Sequence, residues 1–223
     1  MSKKNKSQQK NGGKKKQQES TDDTGYEFSP PGIGKWVFAT QPQDSDHCAE
    51  GQWSTDLYLS GDEAEEFKAK FVELIDARVE ELNDQGKKAR PNYEHTFLED
   101  GTESSSFDPE LGDVMFKFRQ NVTIVPRDKK KNPFKAQFQV VDKNGNDWDP
   151  EKLIGNGSTI VCAYTKYVWG KGGEISCKLR FGGVQVIEHI PYEKSGNPRN
   201  APFGNPAGAI NFNAADDDEG WDE

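Results

Sequence analysis

Between residues 60 and 86, Phe67, Phe71, Leu74, Ile75, Val79 and Leu82 recur every three or four positions, one apolar stripe of a helix whose other face is Glu and Asp. On both sides of this segment the apolar residues alternate instead. Ser60 stands at its start with Glu63 three residues on, the spacing of a capping box, and Gly86 stops it. Upstream, residues 35–40 read as a strand, and Trp53, Thr55, Leu57 and Leu59 share one face of a second. Downstream, Val114, Phe116 and Phe118 point one way and Met115, Lys117 and Arg119 the other, and residues 122–125 extend that strand or begin the next. Residues 134–142 form another strand before the tight-turn pair Asn144-Gly145. Residues 159–169 and 175–190 flank the hairpin loop Lys171-Gly172-Gly173; Gly182-Gly183 marks a bulge in the returning strand, and Pro191 ends it. Strands and helices do not alternate, which argues against a parallel α/β sheet. The pattern predicts an all-β domain with one long helix, a small Greek-key barrel. Residues 87–112 give no readable order.

The two ends are of another character. Residues 1–25 are Lys, Gln, Asn, Ser and Gly with almost nothing to bury, and are expected to be a disordered basic arm. Residues 26–190 form the expected folded domain, 191–213 a Pro/Gly/Asn-rich linker, and 214–223 an acidic tail. The formal net charge is −9, yet residues 1–18 carry seven lysines and no acid, and the tail carries six acids and no base. The body is therefore acidic as a whole, and any basic surface on it must be local. No run of about 18 apolar residues and no apolar leader follow Met1, so no membrane contact or secretion is expected. A cytoplasmic setting fits.

Catalytic signatures are missing. There is no nucleophile elbow, Walker loop or zinc-protease motif, and His47, His95 and His189 lie far apart. Gly155-Asn156-Gly157-Ser158 leads into a strand rather than a helix, so it lacks the helix N-terminus that binds phosphate and reads as a turn. Cys162 and Cys177 sit in apolar runs as small buried hydrophobes; His47-Cys48 has no second ligand pair at metal spacing. No enzyme activity, metal or cofactor is expected.

Binding signals are stronger. Residues 114–135 hold Lys117, Arg119, Arg127, Lys129, Lys130, Lys131 and Lys135, and Lys166, Tyr167, Trp169, Lys171, Lys178 and Arg180 crowd one hairpin. Cations neutralise phosphates while flat rings accept unstacked bases, at about 1–3 kcal/mol per base. Tyr167 and Trp169 share one strand face; spacing leaves open whether that face is the exterior or the core. The tail sets Trp221 among Asp216, Asp217, Asp218, Glu219, Asp222 and Glu223, which reads as a partner-binding motif because Trp is a frequent hot-spot residue. Two other classes stay open: an acidic scaffold that binds no nucleic acid, and an RNA-binding module.

Several segments, taken in order, resemble the single-stranded DNA-binding protein family of T-seven-like short-tailed bacteriophages. They are Asp56-Leu57, Phe116-Lys117-Phe118-Arg119, Val140-Val141-Asp142 with Gly145, Ile154-Gly155-x-Gly157-Ser158, Tyr167-x-Trp169, Lys178-Leu179 and the acidic aromatic ending. The resemblance runs from about residue 51 to 190, plus the tail. It implies an OB-fold, that is, a five-stranded Greek-key barrel, and single-stranded DNA binding with strand annealing. It also implies a role in replication, recombination and repair in the cytoplasm of an infected bacterium, and a homodimer. Through the tail it implies contacts with the phage DNA polymerase and helicase-primase. By the resemblance Tyr167 and Trp169 would stack on bases and Arg119 would contact the strand; the charge pattern adds Lys117, Lys166, Lys171, Arg127 and Lys129 as expected strand contacts. Ala49-Glu50-Gly51 departs from the family's arginine before the second strand, and Trp221-Asp222-Glu223 departs from its final phenylalanine.

Overall fold

A computed structural model describes residues 25–45, 48–99, 107–126 and 130–192. The predicted arm, linker and tail lie outside the described residues, apart from the margins of the linker and arm. In chain order the strands are β1 (Glu27–Phe28), β2 (Gly32–Ser45), β3 (Cys48–Leu59), β4 (Arg90–Pro91), β5 (Phe97–Glu99), β6 (Val114–Asn121), β7 (Thr123–Ile124), β8 (Phe134–Lys135), β9 (Gln139–Asp142), β10 (Thr159–Lys171) and β11 (Glu174–Glu188). The helix α1 (Gly61–Asp84) follows β3. The molecule is thus mostly β with one long helix, as the periodicities predict. The predicted strand over residues 134–142 is in fact two, β8 and β9, broken at 136–138.

Five strands pair in a closed circuit. β2 lies antiparallel to β3, β3 to β6, β6 parallel to β11, β11 antiparallel to β10, and β10 returns to β2 through Thr159↔Ile33 and Ile160↔Gly32. Short strands extend the rim: β1 on β10, β9 and β4 on β11, and β5 on β6. β7 and β8 form a separate ribbon. The hairpin β10–β11 slips register between Ala163 and Tyr164, passing over Gly182, which is the predicted bulge.

Alternation explains the core. Leu57, Phe116, Phe118, Leu179 and Phe181 point inward from their strands, and Ala64, Phe67, Phe71 and Ile75 of α1 face them. Phe67 meets Phe116 edge-on at 4.8 Å and Tyr164 at 5.8 Å, and Phe118 meets Tyr164 at 5.6 Å. Such pairs add about 0.5–1.5 kcal/mol each beyond area burial. Cys162 and Cys177 are buried in this core; burial pushes the Cys162 thiol up and that of Cys177 to about 11, so neither is an available thiolate at neutral pH.

The expected capping box does not form. Ser60 is the N-cap residue with extended backbone, but its side chain makes no cap hydrogen bond. The Gly61 amide instead donates to Asp113 Oδ2 at 2.8 Å. The long connection places Asp113 just ahead of β6, where its carboxylate reaches the helix start, and Glu63 is left on the exposed face. The other end follows prediction: Gly86 adopts φ 75°, with Gly86 N–H bonded to Asn83 O and Lys87 N–H to Leu82 O, a Schellman ending.

Residues 87–112, unreadable in sequence, supply β4, β5 and a cover. Leu98, Phe107 and Leu111 pack on Tyr58 and Met115 in a second apolar cluster. Met115 therefore sits on the outward parity of β6 yet is fully buried.

A candidate nucleic-acid interface

Strand pairing assembles the outward residues of β10, β11, β6 and β3 into rows. Tyr167 pairs with Lys178, and Thr165 with Arg180. Arg180 pairs with Arg119 across the parallel ladder, Arg119 with Ser54, and Lys117 with Asp56. Tyr167 is half-buried and Arg180 exposed, and the Arg180 guanidinium lies 4.1 Å from the Tyr167 ring centroid. Charge and ring thus occupy one place. Tyr167, Lys178 and Arg180, with Gln120, Asn121 and Ile124, line an open cleft of about 530 Å³.

The electrostatics of this face are those of crowded cations. Burial lowers the Lys178 pKa, and Arg180 and Arg119 lower it further. Burial also lowers that of Lys117, with Asp56 opposing and Arg119 reinforcing the shift. An anion laid across the face would counter the repulsion among these cations and favour the charged form of both lysines. Arg119 is less available. Its Nη2 donates to Asp56 Oδ1 at 2.5 Å and its Nη1 to the carbonyl oxygens of Thr55 (2.6 Å) and Phe118 (2.8 Å). It holds β3 to β6 and neutralises a buried carboxylate. Lys117 Nζ donates to the Glu94 carbonyl at 2.9 Å.

The expected residues divide accordingly. Tyr167, Arg119 and Lys117 come together on one face. Trp169 shares the strand parity of Tyr167 and rests against His95, with ring centroids 5.3 Å apart. Lys171 is exposed at the hairpin tip. Lys166 falls on the other side of β10, where its Nζ pairs with Glu27 Oε1 at 2.6 Å. Arg127, Lys129 and the tail residues Asp216, Asp217, Asp218, Glu219, Trp221, Asp222 and Glu223 lie outside the described residues. Lys178 and Arg180 stand on the face of Tyr167 and Arg119 as well. Their two-residue spacing opposite Tyr167 across a glycine loop was the sequence signal for them.

Searches by sequence find no matching family model and no matching curated protein. Structure comparison is more informative. The chain superposes on gp2.5, a single-stranded DNA-binding protein encoded by bacteriophage T7, with a TM-score of 0.57 and 20% identity over 83% of this chain and 97% of that one. It also superposes on the single-stranded DNA-binding protein of bacteriophage Enc34 in complex with ssDNA, with a TM-score of 0.52 and 13% identity over 77% and 91% of the two chains. This is a fold that phage single-stranded DNA-binding proteins share. At such identities the likeness concerns the backbone, and the side chains that line the face of this protein are its own. Within the described residues, no helix is long and apolar enough to cross a membrane.

Proposed function

We propose that this protein is a phage-type single-stranded DNA-binding protein that uses an OB-fold barrel. The closed five-strand circuit supports the barrel, since the order β2, β3, β6, β11, β10 returns to β2 through the β10–β2 pair. The observation that carries the DNA reading is the outward set of Tyr167, Arg180, Lys178 and Lys117 in register on adjacent strands. Rings accept bases without regard to sequence and the cations track the phosphates. The relatives in fold, one of them in complex with ssDNA, support the same ligand.

The deciding titration follows Trp fluorescence with oligo-dT. Wild type should quench and bind, Arg180→Ala should lose roughly tenfold, a typical effect of one charge-assisted contact, and Trp169→Ala should lose both affinity and part of the signal. Absence of any oligo-dT binding would instead favour a scaffold that binds no nucleic acid, and preference for RNA at matched sequence would favour an RNA-binding module.

The finer parts of the proposal concern assembly and partners. Annealing activity, a homodimer and a role in phage replication, recombination and repair follow the resemblance, as do tail contacts with the phage polymerase and helicase-primase. The tail of six acids imitates a polyanionic strand and competes for the cationic face until DNA displaces it. A linker of 191–213 spans roughly 25 Å as a flexible chain, against a domain radius of gyration of about 15 Å. Deleting residues 214–223 should tighten DNA binding and weaken polymerase binding. Unchanged affinities for both would remove the competition from the proposal.

A further inference from the structure

Past Arg180 the cleft does not end. Arg180, Gln120 and Ile124 also line a second cleft of about 320 Å³ together with Tyr26, Phe134 and Lys135, Phe134 being the ladder partner of Ile124. Tyr26 in turn lines a third of about 410 Å³, together with Phe28. The three are consecutive reaches of one groove across the molecule. Its far part is walled by rings that the fold leaves open: Tyr26 is 49% exposed, Phe134 54% and Phe28 69%. Exposed rings of this size along a groove mark a binding surface rather than a core.

Tyr26 is seated by the backbone. A Cβ at Gly182 would come within 1.9 Å of Tyr26 Cε1, so the ring occupies the space that any other side chain at the bulge would fill. Gly182 is the residue passed over in the β10–β11 register, where the returning strand bends. A ring fixed against backbone on one side and open on the other loses little freedom when a flat ligand stacks on it. Lys135 supplies a cation beside it, at present 3.6 Å from Glu50.

We infer that the Tyr26–Phe134 reach is a second base-stacking subsite of the same DNA path, entered through Arg180, so that one strand runs from Tyr167 over the bulge to Tyr26. This rests on the single-stranded DNA reading of the Tyr167 face. β1 pairs with β10 through Glu27↔Tyr164 and Phe28↔Ala163; carried one residue further, this register sets Tyr26 opposite Thr165, two residues before Tyr167 and roughly 7 Å away along the strand. An oligonucleotide must therefore extend at least one base past Tyr167 to reach both.

The test titrates oligo-dT of increasing length against the full chain and its variants. Tyr26→Ala should bind the shortest oligonucleotides as wild type does and lose roughly 5- to 150-fold on long ones, the range for one stacked base, with a smaller site size. Gly182→Ala should give the same length-dependent loss by unseating the ring, and should add nothing in a Tyr26→Ala background. That lack of additivity separates an unseated ring from a damaged fold. Tyr167→Ala should weaken short and long oligonucleotides alike. Unchanged long-oligonucleotide affinity and site size in Tyr26→Ala, with Tyr167→Ala impaired, would overturn the second subsite and leave the first standing. A Tyr26→Ala effect that vanishes on deleting 214–223 would assign the groove to the tail and likewise overturn it. A wild-type chain that binds no oligonucleotide removes both.

Discussion

Arg119 and Lys178 are both cations on the same wall, and their surroundings give them different work. Asp56 is 5% exposed and its carboxylate depends on Arg119 for charge balance. Arg119→Ala would leave that carboxylate buried and unpaired, and the unfolding free energy should fall by about 3 kcal/mol, read from urea denaturation. A loss of DNA affinity in that variant would be mixed with a loss of structure, so Arg180→Ala, at an exposed position, is the cleaner probe. Lys178 binds an anion only when protonated, and burial beside Arg180 and Arg119 lowers its pKa in the free protein. Phosphate would raise it again. DNA affinity should therefore be full below the free-protein pKa and fall as pH rises through it, with proton uptake on binding in that window. Lys178→Arg, which stays charged, should flatten the profile; an identical profile in both proteins would exclude Lys178 from the contact. The same lowered pKa makes the charged lysine a cost to the fold below that pH and relieves it above.

At the scale of elements, α1 shows how a local signal and a tertiary one compete. Ser60 and Glu63 satisfy the capping-box pattern, yet the helix start is held by Asp113, fifty-two residues away. Ser60→Ala should change stability little, whereas Asp113→Ala should cost about 1 kcal/mol, a difference that thermal melting resolves. Equal costs would show that Ser60 caps the helix after all. The hairpin β10–β11 matters more for function. Its glycine loop fixes which residues of the two strands face each other, and hence that Tyr167 meets Lys178 and Arg180 approaches Arg119. A one-residue slip would turn every ring and cation of this wall to the other side.

Over the whole molecule, an acidic chain with net charge −9 presents a confined cationic path. The dependence of binding on salt counts the phosphates it neutralises. With Lys117, Lys178 and Arg180 engaged, log K against log salt should slope by roughly −2, at about −0.7 for each phosphate on a single strand. Arg180→Ala should flatten it by about 0.7, and a slope near zero in wild type would contradict a phosphate-tracking face. The arm of residues 1–25 is tested the same way: its removal leaves the slope unaltered unless its lysines touch DNA directly.

The sequence alone determined the helix and the long strands, though not β4 and β5 within residues 87–112 nor the break between β8 and β9. Period-two alternation and one helical stripe fixed the strands, the helix and the inward residues Leu57, Phe67, Phe116 and Phe118, because local backbone geometry dictates which side chains share a face. It also put Tyr167 with Trp169 on one strand face and Lys117 with Arg119 on another, and left open whether the rings face outward. Tertiary structure decided what touches what: that Asp56 claims Arg119, that Glu27 draws Lys166 aside, that Leu98 and Phe107 cover Met115, and that Tyr26 settles against Gly182. Those contacts join residues distant in sequence, and no pattern of spacing along the chain records a distance across it.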